Sequence, residues 1–229
     1  MQDLPGRAIY DYHFGLRDIP LYVHDRFGFP TEMPVSAYFR DRESMPELEQ
    51  RALDLCRGKV LDIGAAAGSH VLELQRKRLD VHALELSPAS CEVMVERGVR
   101  NVICTDVFNY GGETFDSLLM MMNGIGLSSD IAGLRCFLQK ADELLKPHGR
   151  LIFDSCDITY MYEEIDKPKD HYFGEVNCRY QYGRDFTDFF KWLYIDKKTM
   201  SRIADEEGWK MQVVYEDDQD QYLAVLAKK

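Results

Sequence analysis

The sequence predicts an α/β protein built on a seven-stranded, mostly parallel, doubly wound sheet, with a C-terminal antiparallel hairpin and an inserted β-hairpin cover. Three observations predict it. From about Met45 to Asp157, short runs rich in Val, Ile and Leu alternate with stretches of helical period, as β-α units feeding a parallel sheet require. Residues 158–198 break that rhythm with six Tyr, four Phe and Trp192 among many acids. Residues 199–229 then add one helical stretch and two alternating runs. At 229 residues, 45% hydrophobic and 29% charged, the chain can bury a core without disulfide or metal staples.

Each element has a local reason. A helix over about Pro46 to Cys56 follows from Ser44 as N-cap, Pro46 in its first turn and Gly58 past its end. Strands read Lys59 to Ile63, Asp80 to Leu86, Arg100 to Cys104, Asp116 to Met122 and Arg150 to Ser155. Between them lie helices at about Gly68 to Arg78, Pro88 to Arg97 and Ser129 to Leu145, the second capped by Ser87 and closed by Gly98. Lys146-Pro147-His148-Gly149 reads as the turn that ends the third. Glu175 to Tyr182 and Phe186 to Ile195 flank Gly183-Arg184-Asp185 as a hairpin. A helix at Thr199 to Gly208 and strands at Trp209 to Tyr215 and Tyr222 to Lys228 complete the chain. The expected organisation is an N-terminal cap over residues 1–44, a core over 45–157 and 199–229, and a substrate cover over 158–198.

Charge and cysteine usage narrow the function. Twenty-eight Lys and Arg against 39 Asp and Glu give a net charge of −11, which disfavours nucleic acid and anionic membrane as partners, because phosphate neutralisation needs clustered cations. The longest notable apolar run, Leu118 to Met122, is far short of a membrane span. The six Cys show no C-x-x-C pair and no zinc spacing with His, so reduced thiols and no metal site are expected, in a cytoplasmic protein. His24, His70, His82 and His148 likewise lack ligand spacing and read as structural or exposed, with a supporting role open to His70.

The most informative stretch is Lys59-Val-Leu-Asp62-Ile-Gly64-Ala65-Ala66-Ala67-Gly68, a buried strand running into small residues and then a helix. Small residues let a ligand press against the backbone, and free N–H groups at the helix start attract a negative group. Glu85, 21 residues after Gly64 and followed by Leu86, stands where an acid would grip ribose hydroxyls. Cys104-Thr-Asp106-Val107 puts a second acid at the end of the next strand.

On these residues the chain resembles the class I, Rossmann-like S-adenosylmethionine-dependent methyltransferases over about residues 46–156, with 199–229 also fitting. The family's loop reads E/D-x-G-x-G-x-G; here it is Asp62, Gly64, Ala66 and Gly68, with Ala66 replacing the middle glycine. The resemblance implies that Asp62, Gly64, Ala65, Ala66 and Gly68 border the methionine and ribose part of S-adenosylmethionine. It implies that Glu85 binds the ribose diol with Leu86 beside it, that Asp106 and the Val107 N–H hold the adenine, and that Asn123 and Gly124 lie near the sulfonium. A nicotinamide-binding G-x-G-x-x-G would fall on Gly64, Ala66 and Ser69, of which one is glycine.

The implied activity is in-line methyl transfer to a small-molecule acceptor. A protein or RNA methyltransferase, or a non-catalytic S-adenosylmethionine-binding module, remain alternatives. Candidates for substrate or proton handling are Tyr10, Tyr12, His13, Asn123, Asp154, His171, Tyr180 and Tyr182, with no base singled out. The aromatic stretch suits a planar or amine acceptor, or simply forms the hairpin's own apolar side. The oligomeric state, monomer or homodimer, is left open by the sequence.

Overall fold

The computed structural model describes residues 2–229. Its elements in chain order are α1 (Leu4–His13), β1 (Leu21–His24), β2 (Thr31–Met33), α2 (Glu47–Leu55), β3 (Lys59–Ile63), α3 (Ser69–Arg76), β4 (Asp80–Glu85), α4 (Pro88–Glu96), β5 (Val102–Cys104) and β6 (Phe115–Met120). They continue with α5 (Ile131–Leu144), β7 (Leu145–Cys156), β8 (Glu175–Tyr182), β9 (Asp185–Phe186), β10 (Phe190–Leu193), α6 (Lys197–Glu206), β11 (Trp209–Glu216) and β12 (Gln221–Lys228).

Seven strands form the main sheet in the order β11-β12-β7-β6-β3-β4-β5. The five strands from β7 to β5 are parallel to one another, and β12 runs antiparallel to both β7 and β11. The order steps outward from β3 in both directions, so the C-terminal ends of β3 and β6 flank the point where it reverses, the place where open α/β sheets bind ligands. Helices α2, α3 and α4 cover one face, burying Leu53, Leu74 and Met94 against Val60, Ala83 and Ile152. Helices α5 and α6 cover the other, burying Phe137, Leu138 and Ile203 against Leu118, Leu151 and Phe153. No helix of the described residues is long and apolar enough to cross a membrane.

A second, five-stranded sheet takes up the segment expected as a cover. Its order is β10-β8-β1-β2, with β9 also on β8. Leu21 pairs with Tyr182 and Val23 with Tyr180, so a strand from the N-terminal stretch completes the inserted hairpin. Cover and cap, read separately in the sequence, are interwoven.

Several boundaries differ from the sequence reading. The hairpin turns on Gly183-Arg184 alone, since Asp185 already pairs with Tyr182. The expected strand from Phe186 to Ile195 is interrupted: pairing slips by one residue between Gln181↔Phe186 and Cys178↔Phe190. Thr187 fills the gap, its N–H donating to the Tyr180 carbonyl and its hydroxyl accepting from the Tyr180 N–H. Lys146 to Gly149 is a bulged stretch of β7, with His148 at φ 64°. Strand β5 begins at Val102, β6 ends at Met120, and α6 begins at Lys197 because Asp196 caps it by accepting from the Thr199 N–H.

Candidate active site

The loop after β3 is held by its backbone. Gly64 turns the chain at φ 77°, and the Gly64 and Ala65 N–H groups both donate to the Leu84 carbonyl, at 2.8 and 3.2 Å. The two glycines serve different ends. A Cβ on Gly68 would meet Val99 Cγ2 at 2.8 Å, so only glycine lets α3 start against the α4–β5 connection. A Cβ on Gly64 would meet no atom within 4 Å, so its face opens on space at the sheet edge. Ala66 sits at φ 50°, a conformation costing an alanine about 1–2 kcal/mol. Its N–H donates to Glu85 Oε2 at 2.8 Å, which helps to offset that cost.

Glu85, at the end of β4, also accepts the Ser87 N–H on Oε1 at 2.9 Å. Burial pushes its carboxyl pKa up, while the Ser87 and Ala66 N–H groups pull it back. Ser87 caps α4, accepting the Ser90 N–H and donating its hydroxyl to Asp3 ahead of α1. The first helix is thereby tied to Glu85 through Ser87. Leu86 is 67% exposed and Phe108 41% exposed, two apolar side chains at the ends of neighbouring strands β4 and β5. Between them Asp106 accepts the Phe108 N–H at 2.8 Å, beside the buried Val107.

The end of β6 is built differently. Met122 (φ 61°) and Asn123 (φ 57°) are consecutive non-glycine residues in the left-handed region, preceding the 3-10 turn Gly124–Ser128. The Asn123 N–H donates to both Asp154 oxygens, at 3.0 and 2.9 Å. Both polar atoms of the Asn123 side chain are buried without a partner, and so is Asp62 Oδ2.

Beneath this turn the carboxylates of Asp62 and Asp154 share a buried cluster with Glu49 of α2 and His70 of α3. His70 Nε2 lies 2.9 Å from Glu49 Oε2, and Arg40 Nη2 donates to Glu49 Oε1 at 2.5 Å. Burial pushes Asp154 up to about 7 and Asp62 up to about 6. For His70, burial works to lower the pKa, but the Glu49 hydrogen bond and the Asp62 charge raise it overall. His70, to which the sequence leaves a supporting role open, is one arm of an ionic chain.

The remaining candidates scatter. Tyr180 stacks on Phe190 at 5.0 Å, and Phe190 meets Trp192 edge-on. Trp192 presses on the turn after β6, where a Cβ on Gly126 would fall 2.1 Å from its Nε1. Tyr182 donates to Asp11 at 3.0 Å, and Tyr12 and His13 stack on Phe39. Tyr10 packs against Phe14. His171 is exposed and paired with Asp170 at 2.8 Å, joined to none of the others.

Tyr38, Arg40 and Glu49 went unrecognised in the sequence. Burial, then the charge of Glu85, pushes the Tyr38 phenol up to about 12, and Tyr180 is raised by burial, Tyr38 and Glu85 among others. Two phenols thus lie within electrostatic reach of the same carboxylate. The Tyr38 carbonyl accepts from Ser69 Oγ and Arg97, which fixes its segment to the start of α3. No spacing rule marks such residues in a sequence.

S-adenosylmethionine fits this cleft: Gly64 leaves room, Glu85 keeps lone pairs for a diol, and Asp62 Oδ2 and the Asn123 amide are polar groups without partners in the chain. A family model described as a methyltransferase domain matches residues 61–153. A crystal structure of a SAM-dependent methyltransferase from Bacteroides fragilis, in complex with S-adenosyl-L-homocysteine, superposes with a TM-score of 0.90 at 35% identity, over 99% of this chain and 94% of that one. The CcbJ methyltransferase from Streptomyces caelestis matches with a TM-score of 0.63 at 12% identity, covering 82% of this chain and 98% of that one. Streptomyces venezuelae DesVI matches with 0.58 at 14%, covering 79% and 90%. The last two show the fold alone. No curated protein matches the sequence significantly. The chain belongs to the S-adenosylmethionine-dependent methyltransferases.

Proposed function

We propose that this methyltransferase acts on a small-molecule acceptor by in-line methyl transfer, inside the cytoplasm. The carrying observation is the second sheet: Tyr180 of β8 stacks on Phe190 of β10, Phe190 meets Trp192, and Trp192 is seated on Gly126 in the turn after β6 of the core sheet. Such a roof suits an enclosed acceptor better than a macromolecular surface. The net charge of −11 also argues against a nucleic-acid acceptor.

Bound S-adenosylmethionine supplies an electrophilic methyl group on a positively charged sulfur. In this reading Glu85 accepts the ribose hydroxyls, Leu86 and Phe108 flank the adenine, and Asp106 with the Val107 N–H recognises its edge. Asp62, Gly64, Ala65, Ala66 and Gly68 border the methionine and ribose. Asn123 and Gly124 lie beside the sulfur. The complex of the Bacteroides fragilis relative with S-adenosyl-L-homocysteine supports a cleft for the demethylated product here. The protein's main contribution to rate is then positioning, which can supply several kcal/mol. Residues 1–44 and 158–198 act together as the substrate cover.

Incubating the protein with methyl-labelled S-adenosylmethionine and cell extract, then separating macromolecules from small molecules, tests the acceptor class. Label in the small fraction is expected; label confined to protein or RNA would overturn the reading.

A further inference from the structure

We propose that Asp154 is a positioning residue: its ionised carboxylate latches the strained Met122-Asn123 turn and so presents the Asn123 carboxamide to the ligand beside the sulfur. This rests on the cofactor-site reading above. Two adjacent side-chain-bearing residues in the left-handed region form an unfavourable pair, kept only where the surroundings over-determine it. The one side chain bonded to the Asn123 N–H is Asp154, which offers it both oxygens. What the strain secures is the Asn123 side chain, whose donor and acceptor are both buried and both unpartnered within the chain. Leaving two polar atoms unpaired is costly in a finished core, and reasonable in a site completed by a ligand.

The latch needs charge. A carboxylate accepts the N–H on either oxygen, whereas the neutral acid keeps a proton on one of them and bonds more weakly. Asp154 titrates at about 7, because burial opposes its charge. Ionisable groups facing it are Glu49 from α2, His70 from α3 and Tyr222 from β12. Cys156 follows on its own strand, and Asp62 of β3 joins the cluster through His70. Glu49 opposes ionisation of Asp154 and His70 favours it. The surroundings thus set the latch to switch near neutrality.

Calorimetric titration of the full chain with S-adenosyl-L-homocysteine at pH 6 and pH 8 tests this. A group titrating at about 7 is roughly one-tenth ionised at the lower pH and nine-tenths at the higher, so affinity should be about tenfold weaker at pH 6. Asp154→Asn should bind about tenfold more weakly than the wild type at pH 8 and show less than about threefold dependence on pH. Wild-type affinities equal at the two pH values, or an Asp154→Asn variant that keeps the tenfold ratio, would overturn the latch. Should that variant fail to fold, the Asn123 amide resonance of isotope-labelled wild type must shift with a midpoint near 7; a flat resonance overturns the proposal equally. Failure to bind at any pH would instead strike the cofactor-site reading on which the latch rests.

Discussion

The two sides of the cleft are built on opposite terms. On the β3–β4 side the loop is closed upon itself: Leu84 takes two N–H groups, Glu85 takes the Ala66 and Ser87 N–H groups, and Ser87 caps a helix. On the β6–β7 side two consecutive residues hold a disfavoured backbone, Asn123 keeps both side-chain polar atoms unpaired, and the Asp154 carboxyl resists ionisation. The first side is preformed by its own hydrogen bonds, which also hold Ala66 at its positive φ. The second is left incomplete by the chain itself, and backbone strain of this kind clusters at functional sites.

That contrast can be broken at several points. The largest effect is expected from Glu85→Ala, which removes the proposed ribose acceptor and frees the Ala66 and Ser87 N–H groups at once. Affinity for S-adenosyl-L-homocysteine should fall about a hundredfold or more, on the order of 3 kcal/mol, by calorimetry; unchanged affinity would place the ribose elsewhere. Next, the two loop glycines, both at positive φ, should differ in their effect on binding. Gly68→Ala forces a contact with Val99 at positive φ and should cost about 2 kcal/mol in denaturant unfolding. Gly64→Val strains a position that faces open space, so it should weaken ligand binding far more than Gly68→Ala does.

In the buried cluster of Asp62, Asp154, Glu49 and His70, stability and pH should be linked with a definite sign. The folded-state pKa values of Asp154 (about 7) and Asp62 (about 6) lie above the ordinary carboxyl value. The stability they contribute is complete at low pH and is lost as pH rises through 6 and 7. His70, also raised, acts in the same direction. Carboxylates held low, such as Asp116 and Asp130, lose their contribution only below pH 4. The ligand-free protein should therefore melt at a higher temperature at pH 5.5 than at pH 8, and Asp154→Asn should flatten that slope in scanning calorimetry. A Tm that rises steadily across this window would refute the assignment. The smallest effect is expected in the cover: Tyr182→Phe loses the bond to Asp11 and should destabilise by about 1 kcal/mol while leaving product affinity intact.

The same contrast explains what could be read from the sequence. The positions of Gly64, Gly68, Glu85 and Asp106 at the ends of β3, β4 and β5 were legible because a strand-loop-helix places each at a fixed count from the last, so spacing alone encodes place in the fold. The parallel core followed from periodicity for the same reason. Arg40, Glu49 and His70 were not legible as a set, since their meeting depends on how a segment before the sheet folds back over two helices. Nor was β1, four residues without a marked alternation, whose strand character comes from the partner it finds in β8. The slipped pairing at Thr187 arises from a side chain replacing a backbone bond, which no hydrophobic pattern reports.

The pairing of β1 with β8 carries a consequence for assembly. Leu21 waits for Tyr182, so most of the polypeptide must be synthesised before the roof can zip together. Contacts between such remote stretches are entropically expensive and form late. The cleft at the ends of β3 and β4 can thus organise on a nascent chain before the second sheet closes, and assembly would run from the core outward.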